Sequence, residues 1–224
     1  TRVTADGGLG YAAGGAGTVY QQEGDQTPTM VVHSSGRETP LPPTLADINL
    51  LVDGATVVAT QVNVTSLILT NGAVLTHPPA DLANVSQLVL NVGRLIISTN
   101  SRIDVGGRGY LAGLSGENFR NQSGLTLGNT TVGGSTRRNG GSYGGLGGAG
   151  NTESTVNEVY GDYTNPSEAG SGGGSDSGPA GSGGGLVRIS ADRVELDGRI
   201  TAGGGEGSYY GGGGSGGGVQ LSTG

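Results

Sequence analysis

The 224 residues contain no cysteine, no tryptophan and no lysine. Without cysteine there are no disulfides, no thiolate nucleophile and no Cys-based zinc site. Arginine supplies all 11 basic residues against 18 acidic ones, a net charge of −7 with no basic cluster. That balance argues against nucleic acid or an anionic membrane as the main partner. No apolar run approaches the roughly 20 residues that span a bilayer as a helix. Aromatics are 4%, which leaves a narrow aliphatic core and excludes a wide one filled by rings. There is no initiator Met and no leader, so Thr1 reads as a processed start or as a cut from something longer.

Glycine is what the chain has instead, at 50 residues, about three times ordinary usage. It keeps no strict three-residue period and proline is only 8, so collagen is excluded. Helical spacing of apolar residues is missing, and β-branched residues dominate elsewhere. Strand patterns recur at Ile48-Asn49-Leu50-Leu51-Val52, Ala55-Thr56-Val57-Val58-Ala59 and residues 61–65, where Val62 and Val64 alternate with Asn63 and Thr65.

Internal comparison carries the fold reading. Leu67-Ile68-Leu69-Thr70-Asn71-Gly72 aligns with Leu88-Val89-Leu90-Asn91-Val92-Gly93, twenty-one residues on. Residues 50–55 and 194–200 repeat the same form: apolar-x-apolar, a polar turn, Gly, x, apolar. A short unit of this kind buries its face only against the next copy. The fold predicted is all-β, a parallel β-helix (β-solenoid) spanning 1–224 as a single unit. Asn71 and Asn91 are candidates for side-chain ladders. The alternative for the same residues is a β-sandwich of hairpins turning at Asp53-Gly54, Asn71-Gly72 and Asp197-Gly198.

Glycine concentrates in excursions that share an entry and an exit. Arg2-Val3-Thr4-Ala5-Asp6-Gly7-Gly8 matches Arg199-Ile200-Thr201-Ala202-Gly203-Gly204-Gly205, and Arg102-Ile103-Asp104-Val105-Gly106-Gly107 is a looser copy. The excursions end on small residues before a strand, as Gly17 before Thr18-Val19-Tyr20, Gly185 before Leu186-Val187, and Gly218 before Val219-Gln220-Leu221. The longest covers 106–185. Ordered, extended loops packed on the solenoid's side are expected, because bare backbones approach closely and Tyr can cover them.

The run Gly107-x-Gly109-Tyr110, Gly141-Ser142-Tyr143-Gly144-Gly145, Tyr160-Gly161, residues 170–174 and the strand at Leu186 resembles the Gly-rich β-solenoid repeats of very large bacterial surface and adhesin-like proteins. The resemblance implies an extracellular, cell-surface location and a structural or adhesive role in tandem copies. It brings no catalytic residues.

Nothing in the chain assembles a reaction centre. Asp104, Asp192, Glu195 and Asp197 are the densest acids near strands, and Asp192, Glu195 and Asp197 read as a solvated ion-paired face with Arg193 and Arg199. A polysaccharide-acting enzyme using Asp192 or Asp197 is the least favoured reading. His33 and His77 lack ligand spacing. Gly172-Gly173-Gly174-Ser175-Asp176 misses the calcium nonapeptide spacing, which leaves only loose calcium binding by an acidic array; no cofactor is expected.

The favoured function is therefore a structural unit of an extracellular fibre or surface array, meeting copies of itself head-to-tail. Leu221-Ser222-Thr223-Gly224 placed before Thr1-Arg2-Val3-Thr4 rebuilds residues 196–202 in pattern. The expected junction is Thr1, Arg2, Val3 and Thr4 on one side and Val219, Leu221 and Gly224 on the other. The alternative is a glycan-binding adhesin module using Tyr110, Tyr143, Tyr209 and Tyr210, with Tyr160 and Tyr163 as further candidates. Sequons stand at Asn63, Asn84, Asn121 and Asn129.

Overall fold

The computed structural model describes Val3 and residues 5–8, 10–11, 14–33, 37–150 and 153–224. Its strands form two sheets. The larger contains, in order, β1 (Gly17–Gln21), β2 (Thr29–His33), β4 (Asn49–Asp53), β6 (Gln61–Thr70), β8 (Gln87–Ile97), β10 (Leu186–Leu196) and β12 (Gly218–Thr223). The smaller contains β3 (Glu38–Pro40), β5 (Thr56–Val58), β7 (Val74–Thr76), β9 (Arg102–Asp104) and β11 (Arg199–Thr201), in chain order from one edge to the other. From β2 on, the chain alternates between the sheets.

The expected closed parallel β-helix is not what forms. The larger sheet is mixed, because β1 runs antiparallel to β2 while the other pairs are parallel, and no closed solenoid results. The reason is local. Residues 22–28 make a turn, with Gln26 N–H on Glu23 C=O at 3.1 Å and Gly24 at φ 54°. Seven residues are too few for the crossover that a parallel pair requires. The Gly-rich residues also add no named strand that would close a coil.

Asp53-Gly54 and Asn71-Gly72 serve as corners between the sheets and not as hairpins. Gly54 (φ 65°), Asn71 (φ 55°) and Gly72 (φ 81°) take the left-handed conformation that the corner needs. Inside, aliphatic residues stack in register. Met30, Leu50, Leu67 and Leu95 form one column, and Val32, Val52, Leu69 and Ile97 another. Val57, Leu75, Ile103 and Ile200 answer from the smaller sheet. Most of these side chains are fully buried in one core, each contributing about 1.5–3 kcal/mol.

Two register expectations change. Leu67 lies opposite Leu95, not Leu88. β6 carries the apolar-x-apolar pattern twice, at Val62/Val64 and at Leu67/Leu69, so sequence alone could match either half. For the same reason Asn91 pairs with Asn63, donating Nδ2–H to Oδ1 at 2.8 Å, while Asn71 reaches Asp53 at 2.5 Å. Ladder pairing skips Thr65, Gly93 and Asp192, where the three long strands bend together.

Residues 106–185 pack together with residues 203–217, as in Gly141 N–H on Gly213 C=O and Gly181 N–H on Gly212 C=O, both 2.9 Å. Along residues 170–175 the amides fan out. Gly170 and Gly173 donate to Gly184 and Gly181 C=O, at 2.8 and 2.9 Å. Gly172 and Ser175 donate to Leu125 and Gln122 C=O, at 3.0 and 2.8 Å. Every third residue thus returns to the same neighbouring segment. A pleated strand, with period two, cannot do this; an extended chain with three residues per turn, like polyproline II, does. At the tightest crossing, a Cβ on Gly183 would collide with the carbonyl of Gly170.

Candidate functional site

Both parallel stacks run out at the same end of the molecule. β12 has β10 on one side and no partner on the other among the described residues, and β11 likewise has only β9. The core columns reach this edge uncovered. Leu88 and Val187 are buried, but the next member, Val219, is 42% exposed. Leu90 and Ile189 are buried, but Leu221 is 45% exposed. Parallel strands are normally covered on both faces, so an edge that shows core side chains without a further strand is unusual for such a stack.

The polar rim of this end is paired. Glu195 binds Arg94 at 2.7 Å and Arg193 at 3.2 Å, and its carboxyl is held below the usual range chiefly by the Arg94 hydrogen bond. Asp104 accepts from Gly106 N–H (3.1 Å), Thr201 Oγ1–H (2.8 Å) and Arg102 (3.1 Å). Burial works to raise its pKa, and those bonds together outweigh it and bring it down. Asp192 and Asp197 are exposed, Asp192 beside the bend at Gly93.

The junction residues fall as follows. Val219 and Leu221 lie on the open edge, and Gly224 N–H bonds Ala191 C=O at 3.2 Å. Val3 is 58% exposed, whereas Thr1, Arg2 and Thr4 lie outside the described residues. Val219 and Leu221 thus lie in β12, and Gly224 follows it.

The tyrosines divide into two sets. Tyr110 is buried and meets Tyr160 edge-on at 6.5 Å, and Tyr143 meets Tyr160 at 5.3 Å. Burial, helped by Glu168, pushes Tyr110 up to about 12, and burial raises Tyr143 and Tyr160 as well. These rings hold the Gly-rich region together. Tyr209 and Tyr210 pack at 4.8 Å on its surface, with Arg138 over the Tyr210 ring at 4.6 Å, and Tyr163 is exposed.

Among the sequons, Asn63, Asn84 and Asn121 are exposed. Asn129 is not free: its Nδ2 donates to the carbonyls of Asp81 (3.2 Å) and Leu82 (3.0 Å). His33 pairs with Asp6 and lies 3.8 Å from Asp53. Among the described residues, no group of three or more His, Asp or Glu is placed to hold a metal, and no helix is long and apolar enough to cross a membrane.

Sequence reasoning missed Asn157 and gave His77 no role. Asn157 is a buried polar hub joining Thr126, Ser135, Ser142 and Ser171. No periodicity marks it, since its partners come from four separate segments. His77 is fully buried, with Nδ1–H on Pro78 C=O at 2.7 Å and Nε2 packed over Gly185. Burial, with the nearby Arg108 charge, lowers its pKa below 6.5, against the opposing Pro78 bond. The folded chain therefore keeps His77 neutral where the unfolded chain protonates it. The stability it allows is full above about pH 6.5 and declines as pH falls toward the lowered value. His77→Gln is expected to flatten this acid-side slope in urea denaturation measured from pH 7.5 to 5.

Comparison of the chain with protein-family models, with curated proteins and with solved structures returns no match. The functional reading therefore rests on the geometry above and on the motifs.

Proposed function

We propose that the chain is a structural unit of an extracellular fibre or surface array, and that copies join end to end through the open sheet edges. The observation that supports this most is the exposure of Val219 and Leu221, each the outermost member of an otherwise buried column. Strand addition at this edge gives main-chain hydrogen bonds for affinity and the apolar columns for register. On this reading the chain carries no catalytic chemistry, and its extracellular setting follows the resemblance of its Gly-rich motifs.

The test is direct. The parent chain is expected to form end-to-end oligomers as concentration rises, visible by sedimentation velocity and negative-stain microscopy. Val219→Glu with Leu221→Glu is expected to hold it monomeric at the same concentrations. Because both side chains are already exposed, folding stability should move by no more than about 0.5 kcal/mol. A parent chain that stays monomeric at high concentration, or a variant that assembles as well as the parent, removes this reading.

A further inference from the structure

We infer that β1 is an exchange strand: it leaves β2 and adds, in parallel, to the outer edge of β12 in a second copy. This rests on the end-to-end reading and names the element that carries it.

β1 is the misfit of the larger sheet. It is the antiparallel member of a stack whose other pairs are parallel. None of its five residues belongs to the buried core, and Tyr20 is 62% exposed. Leaving β2 breaks one short ladder and uncovers Met30 and Val32, which lie opposite Tyr20 and Thr18, an exposure of the same kind that β1 then relieves at Leu221 and Val219. Its sequence belongs elsewhere. Residues 2–8 copy 199–205, and the Gly-rich stretch ending at Gly17 copies the one ending at Gly218. In the folded chain, that second copy is the segment that lays β11 on β9 and β12 on β10, in parallel. The exchange repeats once more a contact the molecule already makes.

Aligned on the glycines, Gly17 falls opposite Gly218, which puts Thr18 on Val219 and Tyr20 on Leu221. The column Leu90, Ile189, Leu221 then gains Tyr20 as its cover. The Gly-rich layer allows the same approach. A Cβ on Gly203 would have nothing within 4 Å, and one on Gly213 or Gly216 would meet only a carbonyl at 3.7 Å. Contacts within the chain do not require glycine there, whereas an incoming backbone laid against that face would. Residues 22–28 can span about 23 Å when extended. Seven residues cannot make the crossover of an adjacent parallel pair, but their reach exceeds the ~17 Å length of a five-residue strand, so β1 can lie parallel on the neighbour's β12, unpaired with β2, while β2 stays in its own copy. Two contacts restrain release: a clasp in which Asp6, eleven residues ahead of β1, pairs with His33 at the end of β2, and the bond from Ala16 N–H to Thr39 Oγ1 at 2.9 Å.

The absence of native cysteine makes the test clean. The full chain carrying Thr18→Cys and Val219→Cys is assembled under reducing conditions and then oxidised. Disulfide-linked ladders between copies are expected. Thr18→Cys with Ser222→Cys, which would meet only if β1 paired antiparallel, is expected to link weakly. Asp6→Ala, which opens the clasp, is expected to speed assembly several-fold, and Tyr20→Asp to slow it without changing the monomer's melting curve. Oligomers that form yet link only through Ser222→Cys, or through neither pair, overturn the exchange and leave the end-to-end reading intact. Unchanged assembly in both Asp6→Ala and Tyr20→Asp also overturns it. A chain that never oligomerises removes both.

Discussion

Gly183→Ala is expected to be the most damaging small substitution in the chain. The added methyl would meet the Gly170 carbonyl and the Ser171 amide nitrogen, which are backbone atoms no rotamer change can move. Those segments are tied directly by Gly170 N–H on Gly184 C=O (2.8 Å) and through Tyr110, whose C=O accepts from Gly183 N–H (2.9 Å) and whose N–H donates to Gly170 C=O (3.0 Å). Relief requires the segments to separate, which breaks such bonds. The expected loss is about 3 kcal/mol or more. At 2–4 °C per kcal/mol for a chain of this size, the melting temperature should fall by roughly 6–12 °C. Gly144→Ala is the matched control. A Cβ there meets nothing within 4 Å and φ is not positive. It should be neutral or stabilise by about 0.4–1 kcal/mol, because alanine restricts the unfolded chain. Equal effects at the two positions in calorimetry would contradict the close-packed backbone as the source of order.

Asn157→Ala is expected to come close behind. The carboxamide accepts from Ser135 Oγ (2.9 Å) and Ser142 N–H (2.7 Å). Its two Nδ2–H groups are shared among four acceptors, Thr126 Oγ1 (3.2 Å), Ser142 C=O (3.2 Å), Glu158 C=O (2.9 Å) and Ser171 Oγ (3.1 Å). Truncation strands several buried partners at about 1–3 kcal/mol each, so a total near 3–5 kcal/mol is expected after partial relaxation. A second readout separates this from a general loss of packing. Ser171 Oγ also bonds the Tyr160 hydroxyl (3.0 Å), which in turn donates to Ala169 C=O (2.7 Å). In the parent, burial keeps the Tyr110 and Tyr160 phenols protonated well above pH 10. In Asn157→Ala an alkaline ultraviolet titration should keep both phenols well above 10, because burial raises them and the Ser171 bond only lowers Tyr160, whereas ionisation closer to 10 would mark a general loosening. Unchanged stability would remove Asn157 from its central place.

How much of this could be read beforehand depended on which period the residues follow. Val62 and Val64 announced an inward face through simple alternation, and Leu50, Leu67 and Leu69 could be assigned to the core from sequence. The Asn71-Gly72 pair announced a left-handed bend, yet hairpin and sheet-to-sheet corner need the same residues. The Gly-rich stretches were harder, because glycine carries no apolar or polar face for a pattern to mark. Their contacts are made by amides and carbonyls that every residue has. Tyr110 and Tyr209 sit in similar Gly-Tyr and Ser-Tyr settings, yet one is buried and the other 86% exposed. Only the path of the surrounding backbone distinguishes them. At the open edge, the repeat marked Val219-Gln220-Leu221 as a strand, and these residues lie in β12. The reversal of β1 was not, since its residues match a parallel strand and only the short link to Thr29 turns them around.

The three-fold rhythm of residues 170–175 also governs how such a region can change in length. Deleting a single residue there would rotate everything downstream by a third of a turn. Glycines would then face solvent, and bulkier residues would point into spaces that admit no side chain. Removing three would restore the original facing and merely shorten the rod. Viable insertions and deletions in this region should therefore arrive in triplets of amino acids, whereas a pleated strand keeps its phase by steps of two.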